Sequence, residues 1–339
     1  MEIHFLGTSS GVPTRSRNMS ATAIRTQGAR HWALVDCAEG TQHRILRTRL
    51  SPMSLRAIFI THLHGDHCYG LPGLLASAGM LNRTEPMAIV GPAPLRGMIE
   101  CIMEATQLEL PYPIEWVPLE RLAQTQVLPD FTVHATALSH RIESYAYSFT
   151  EAAVERKLDI GKLRASGLPS GPAWRELQQG RDAVLPDGTV VLAESFLLPP
   201  RRARKVVIAG DNDTPELLGA EAATADVLVH EATYTEAILQ KVGPGPQHSS
   251  AAMVARVAQD AGVPNLVLTH FSPRYLDRGN GLTLDDIARE ARGQYEGNLV
   301  LARDFDVHQL DREGKLRLIQ SRPATIGPWQ NDPPSSPAP

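Results

Sequence analysis

The stretch AIFIT (Ala57–Thr61), running into T-H-L-H-G-D-H (Thr61–His67), decides how this chain is read. AIFIT is an unbroken apolar run of the kind that forms a strand buried on both faces. Directly behind it stand three imidazoles, His62, His64 and His67, and one carboxylate, Asp66. The carboxyl ends of parallel strands are where ligand sites collect in layered α/β proteins. On a turn at such an end, His62 and His64 can face one metal ion while Asp66 and His67 face another. Gly65 is expected to permit the tight turn.

Three more donors repeat the pattern further along. His140 follows the strand expected over Phe131–Leu138, Asp211 follows KVVIAG (Lys205–Gly210), and His270 follows NLVLT (Asn265–Thr269). One histidine after a strand is usually structural, but four apolar strands each delivering donors at the same end make a site. Zinc prefers about four ligands and leaves one position for water when catalytic, so seven donors suit two ions. Asp211 is the natural bridge, with one oxygen for each. A set of N and O donors without cysteine suits zinc and also admits manganese, iron or cobalt. Two ions roughly 3.5–4 Å apart can activate a water and clamp a phosphoryl oxygen.

The bulk numbers set limits. The chain has 339 residues, 42% hydrophobic and 21% charged, with a net charge of −4. A large core is expected, and a basic surface over the whole molecule is excluded, so any contact with nucleic acid is local. Three cysteines, Cys37, Cys68 and Cys101, do not make a disulfide framework and suit a reducing, cytoplasmic location. The opening MEIHFLGTSSG lacks the features of a signal peptide, and no run approaches ~20 apolar residues, so no membrane span is expected.

Further strands are expected at Ile3–Leu6, Thr22–Thr26, Trp32–Val35, Ala88–Val90, Ile114–Val117, Tyr145–Thr150 and Val227–Val229. Helices are expected after Gly70–Gly73 and over Pro94–Gln107, Ser249–Ala261 and Thr283–Ala291. Short buried strands alternating with helices argue for an α/β layered fold. Residues 151–200 read as a long irregular insertion, with six basic residues against two acidic ones between Arg156 and Arg181. The segment 321–339, with six prolines, reads as a disordered tail.

The pattern H-x-H-x-D-H with later single His, Asp and His ligands resembles the metallo-β-lactamase superfamily. FLGTSSG, PTRSRN, DCAEGTQ, HLHGDH, GLPGLL, HEAT, HSS and THFSPRY, in this order, resemble ribonuclease Z more narrowly. The resemblance implies a four-layer αβ/βα sandwich over residues 1–320 with a flexible tRNA-binding arm inserted at 151–200. It also implies a homodimer that cleaves precursor tRNA on the 3′ side of the discriminator base. His62, His64 and His140 would hold one Zn2+ and Asp66, His67 and His270 the other, with Asp211 bridging. Asp66 would orient the attacking water, and Glu231 with His248 would shuttle a proton to the leaving oxygen. Arg15 and Arg17, in PTRSRN, would meet RNA phosphates. His230 is expected to support a ligand from behind or to be structural, and His4, His31, His43, His134 and His308 to be spectators. Two other functions stay open: a general dinuclear zinc phosphodiesterase, and a non-catalytic metal-bound RNA-binding protein.

Overall fold

Strands that are apolar on both faces need cover on both sides, and a four-layer stack supplies it. The computed structural model describes residues 1–154 and 156–321, so the proline-rich segment expected to be disordered lies, from residue 322 on, outside the described residues. In chain order the strands are β1 (Glu2–Gly7), β2 (Ala21–Arg25), β3 (Trp32–Val35), β4 (Leu55–Phe59), β5 (Met87–Val90), β6 (Ile114–Val117), β7 (Phe131–Leu138) and β8 (Ser144–Glu151). There follow two very short strands, β9 (Ala183–Val184) and β10 (Val190–Val191), then β11 (Lys205–Ala209), β12 (Val227–Glu231), β13 (Asn265–Thr269), β14 (Asn298–Leu301), β15 (Val307–Leu310) and β16 (Leu316–Gln320).

One sheet runs β16-β15-β1-β2-β3-β4-β5-β6 and the other β14-β13-β12-β11-β8-β7. Parallel pairing is confined to β3 through β6 and to β11 through β14; the remaining pairs are antiparallel. The alternation of side chains along each strand fixes the layers. On β4, Ala57 and Phe59 enter the core between the sheets, while Ile58 packs outward under the helices Leu71–Met80 and Pro94–Thr106; Leu55, on the far side of a register shift in the pairing with β3, faces outward too. On β11, Val206 and Ile208 point inward, and Val207 outward beneath the helices Ala251–Asp260 and Leu284–Arg292. The inner layer is filled by aromatic rings, with Phe59 5.1 Å from Tyr147 and 5.2 Å from Phe149.

The sheets are also tied by polar bonds at one end. The Tyr147 hydroxyl donates to the Ile60 carbonyl at 2.8 Å, and the Tyr145 N–H to the Thr61 carbonyl at 3.0 Å. Gly210 N–H in turn donates to the Tyr145 carbonyl at 3.1 Å. The ends of β4, β8 and β11 are thus fastened to one another just where the donors emerge.

The strand expected to end at Thr61 ends at Phe59, because Ile60 N–H bonds back to Val90 and Thr61 turns to the other sheet. β14 carries an apolar run, Leu299–Ala302, that the sequence reading passed over, whereas β15 and β16 carry none long enough to announce them; β15 is recruited by pairing with β1. The insertion is not irregular. It forms helices Ile160–Ala165 and Pro172–Gln178 and the β9–β10 hairpin around its own small core of Leu158, Leu163, Leu168, Leu177, Ala183 and Ala193. Its two connections run side by side, with Leu198 N–H donating to the Lys157 carbonyl at 2.8 Å, and Arg156 pairs with Glu194 across them. Cys37 and Cys68 are buried and Cys101 is exposed, all three as free thiols. No helix among the described residues is long and apolar enough to cross a membrane.

His308 is 3% exposed, neither ring nitrogen has a hydrogen-bond partner, and burial lowers its pKa from 6.5 to about 4. As pH falls from 6.5 toward 4, the unfolded chain takes up a proton that the folded one refuses, so stability is lost across that window. The loss amounts to about 3 kcal/mol for this group. Urea unfolding at pH 7 and pH 4.5 should show His308→Leu losing markedly less stability than the wild type between the two.

Candidate metal centre

The sandwich gathers the expected donors from both sheets at one edge. His62 and His64 lie just past β4, and Asp66 and His67 on the helical turn Gly65–Cys68 that follows. His140 comes from the end of β7, Asp211 from beyond β11, and His270 from beyond β13. Gly210 lets Asp211 reach the site: a Cβ there would stand 2.6 Å from the Thr61 side chain. Gly65 has an ordinary helical backbone and no positive φ, so the tight-turn reason for it is corrected; what it leaves room for is the ring of Tyr69.

The donor atoms fall into two groups. His62 Nε2 and His140 Nε2 stand 3.1 and 3.0 Å from His64 Nδ1, and Asp211 Oδ2 lies 3.7 and 3.8 Å from the first two. On the other side, His67 Nε2 and His270 Nε2 are 3.2 Å apart, each 3.4 Å from Asp211 Oδ1. Asp66 Oδ2 completes that group at 3.7 and 3.4 Å from the same two nitrogens. Asp211 therefore turns one oxygen to each group. In each group the ligand atoms lie within 4.8 Å of one another.

The residues fit divalent cations. The far ring nitrogens are already engaged: His62 Nδ1 with Thr61 Oγ1 (3.0 Å), His67 Nδ1 with Asp36 (2.6 Å), His140 Nδ1 with the Gln247 carbonyl (2.8 Å) and His270 Nδ1 with Thr233 Oγ1 (3.0 Å). That arrangement aims the near nitrogens' lone pairs at the centre, as metal-ligating histidines require. Burial holds His62, His64 and His140 below their usual pKa, hence neutral. Burial likewise opposes a proton on His67, but the Asp211, Asp36 and Asp66 carboxylates outweigh it, so the second group demands positive charge.

Asp36 is the residue that inspection of the sequence missed, although DCAEGTQ places it just past β3 at the same sheet edge. It sits at φ 61 and accepts from Thr61 N–H (2.8 Å), Thr61 Oγ1 (2.9 Å) and His67. His270 also has a left-handed backbone, at φ 56. Non-glycine residues pay for that conformation, and such strain collects at functional sites.

His248 and Glu231 come together beside the donors. His248 Nδ1 lies 3.0 Å from Glu231 Oε1 and 3.7 Å from Asp211. Burial disfavours charge on His248, yet the Glu231 and Asp211 carboxylates raise its pKa to about 9. Glu231 is held by N–H donors from Asn212, Thr233 and Ser249. His230 is buried between the Glu231 carbonyl and the Asn212 amide.

Arg15 is exposed, but Arg17 is not available to RNA. It is 4% exposed, pairs with Asp277 at 3.0 Å and donates to the Tyr275 carbonyl at 2.6 Å. The expectation of a phosphate contact there is corrected: Arg17 fastens its loop to the segment following His270.

Ribonuclease Z of Marinobacter nauticus is 48% identical, over 94% of this chain and 99% of its own length, and that of Pseudomonas putida strain KT2440 is 49% identical over 93% and 99%. The chain belongs to the ribonuclease Z family. A family profile described as anti-Pycsar protein Apyc1 matches residues 1–149. Among solved structures, the short form of human tRNase Z superposes on this ribonuclease Z family member with a TM-score of 0.62 at 27% identity, covering 92% of this chain and 100% of the human one. The Bacillus subtilis protein YhfI, at 17% identity and a TM-score of 0.62, shares the metallo-β-lactamase fold.

Replacing Asp36 by Asn should leave the fold intact and weaken metal binding roughly 10- to 100-fold, the usual cost of removing a histidine's carboxylate partner. Competition against a chromophoric chelator measures this directly; wild-type affinity in Asp36→Asn would remove Asp36 from the centre.

Proposed function

We infer that this protein is a metal-dependent endoribonuclease that removes 3′ trailers from precursor tRNA, cutting on the 3′ side of the discriminator base and leaving a 3′-hydroxyl. The observation that carries this is full-length similarity to ribonuclease Z relatives joined to an intact set of donors. The set supports two Zn2+ per subunit, held by His62, His64 and His140 and by Asp66, His67 and His270, with Asp211 between them; Mn2+, Co2+ or Fe2+ would suit the same atoms.

Bound divalent cations supply Lewis acidity to a water and to the phosphoryl oxygens. The chain's own residues do the rest. Asp66 lies at the open side of the site, where its Oδ2 also accepts the Gly11 N–H at 2.7 Å, and orients or deprotonates the attacking water. Water attacks phosphorus and the bond to the 3′-oxygen breaks. His248, kept protonated by Glu231, gives that oxygen its proton from Nε2. Glu231 is buried and accepts several hydrogen bonds, so it holds the imidazolium in place rather than taking its proton.

The finer parts of the proposal rest on separate features. The insertion serves as an RNA-binding arm: Arg156 and Arg181 are spent on Glu194 and Glu176, which leaves Lys157, Lys162, Arg164 and Arg175 for phosphates. Arg15, exposed and without an ion pair among the described residues, supplies another contact. A homodimer is supported by an apolar groove of about 580 Å³ between the helices Leu71–Met80 and Pro94–Thr106, beside which Met80 is 85% and Leu81 52% exposed. A cytoplasmic location follows from the substrate.

Zinc-loaded wild type should cut a 3′-extended precursor tRNA once, after the discriminator base, and Asp66→Ala should lose at least a hundredfold in rate. Wild type that spares the precursor but hydrolyses bis(p-nitrophenyl) phosphate would instead be a general phosphodiesterase; a protein that binds the RNA and does neither would be a scaffold. Replacing residues 158–197 by a short glycine linker, which the adjacency of Lys157 and Leu198 permits, should cost precursor cleavage much more than hydrolysis of the small diester.

A further inference from the structure

Tyr69 closes the helical turn that carries Asp66 and His67, yet its side chain is 67% exposed. A single exposed tyrosine is ordinary. This one is seated: its ring lies against the bare Cα of Gly65, so close that an added Cβ there would stand 2.4 Å from a ring carbon. One face of the ring is thus fixed by the same turn that presents the donors, and its hydroxyl has no hydrogen-bond partner among the described residues.

A cation stands on the same rim. Arg141 directly follows His140, is exposed, and forms no ion pair among the described residues. His140 Nε2 lies 3.0 Å from His64 Nδ1, which brings the chain at Arg141 beside the residue that precedes Gly65. Nearby arginines are already committed, Arg17 to Asp277 and Arg44 to Asp304.

We propose that Tyr69 is the platform on which the nucleobase beside the scissile phosphate stacks, and that Arg141 pairs with the adjoining backbone phosphate. The proposal rests on the endoribonuclease function above. A trailer is single-stranded where it leaves the acceptor stem, so its bases are free to be splayed and stacked. Stacking on an aromatic face is tolerant of sequence, because every base has a π surface. A tyrosine platform therefore suits an enzyme that meets many different trailers, and it sets the phosphate's position relative to Asp66 without reading a base.

The test uses the zinc-loaded protein and a 3′-extended precursor tRNA, with and without an abasic nucleotide on either side of the cut. Tyr69→Ala should raise KM roughly tenfold, with zinc content and melting temperature held, while Tyr69→Phe keeps the wild-type KM. One abasic precursor should cost the wild type a similar factor and cost Tyr69→Ala nothing more. Arg141→Ala should raise KM and lower the salt dependence of binding by about one phosphate contact. An unchanged KM in Tyr69→Ala, or wild type indifferent to both abasic precursors, overturns the platform, and an unchanged salt dependence overturns the Arg141 contact. Should Tyr69→Ala fail to fold, the abasic precursors with wild type decide alone. If the wild type leaves the unmodified precursor uncut, it is the endoribonuclease function that fails.

Discussion

A single backbone hydrogen bond between two sheets, Tyr145 N–H to the Thr61 carbonyl, sets the frame in which everything else at the metal centre is placed. Side-chain packing between sheets fixes their spacing but leaves them some freedom to slide. A directional bond at the rim removes it, and the Tyr147 hydroxyl to the Ile60 carbonyl repeats the constraint. Donors from four strands in two different sheets can then meet within the few ångströms that a cation pair requires. Buried imidazoles and carboxylates so concentrated would repel or remain unsatisfied without positive charge among them, so the rigidity of the frame serves electrostatics as much as geometry.

The donors themselves were legible because each follows an apolar run, and an apolar run is the plainest signal a sequence carries. His62, His140, Asp211 and His270 could all be placed from that rule alone, and His248 with Glu231 from their motifs. Asp36 was not, although it obeys the same rule. A carboxylate that touches only a histidine's far nitrogen and a neighbouring threonine leaves no spacing pattern, and its significance depends on a fold that brings β3 beside β4. Arg17 failed for the opposite reason. An arginine in a polar loop reads as solvated, and nothing in PTRSRN tells that Asp277, far away in the chain, is waiting for it.

The fold followed the same division. Strands marked by apolar runs or by alternation were found, often to the residue, as with Trp32–Val35 and Lys205–Ala209 for the first and Phe131–Leu138 for the second. Strands that owe their existence to a partner were not: β15 is a strand because β1 offers it an edge, and β16 because β15 does. The insertion was mistaken for irregular chain because its helices are short and its glycines and prolines many. Six buried apolar residues, from Leu158 to Ala193, make a core without making a periodic pattern.

The place where that insertion joins the body has a consequence for how such a protein can change over time. β8 starts beside the metal centre at Ser144 and ends at Glu151, where the insertion begins, and β11 starts just after its return and ends two residues before Asp211. Two strands thus separate the chemistry from the appendage by roughly 25 Å at the usual rise per residue. The neck that joins them is closed by its own bonds, and the entropy of closing a loop grows only slowly with its length. Lineages are therefore free to lengthen, trim or recharge the appendage, altering what is held, while the cutting machinery is inherited unaltered.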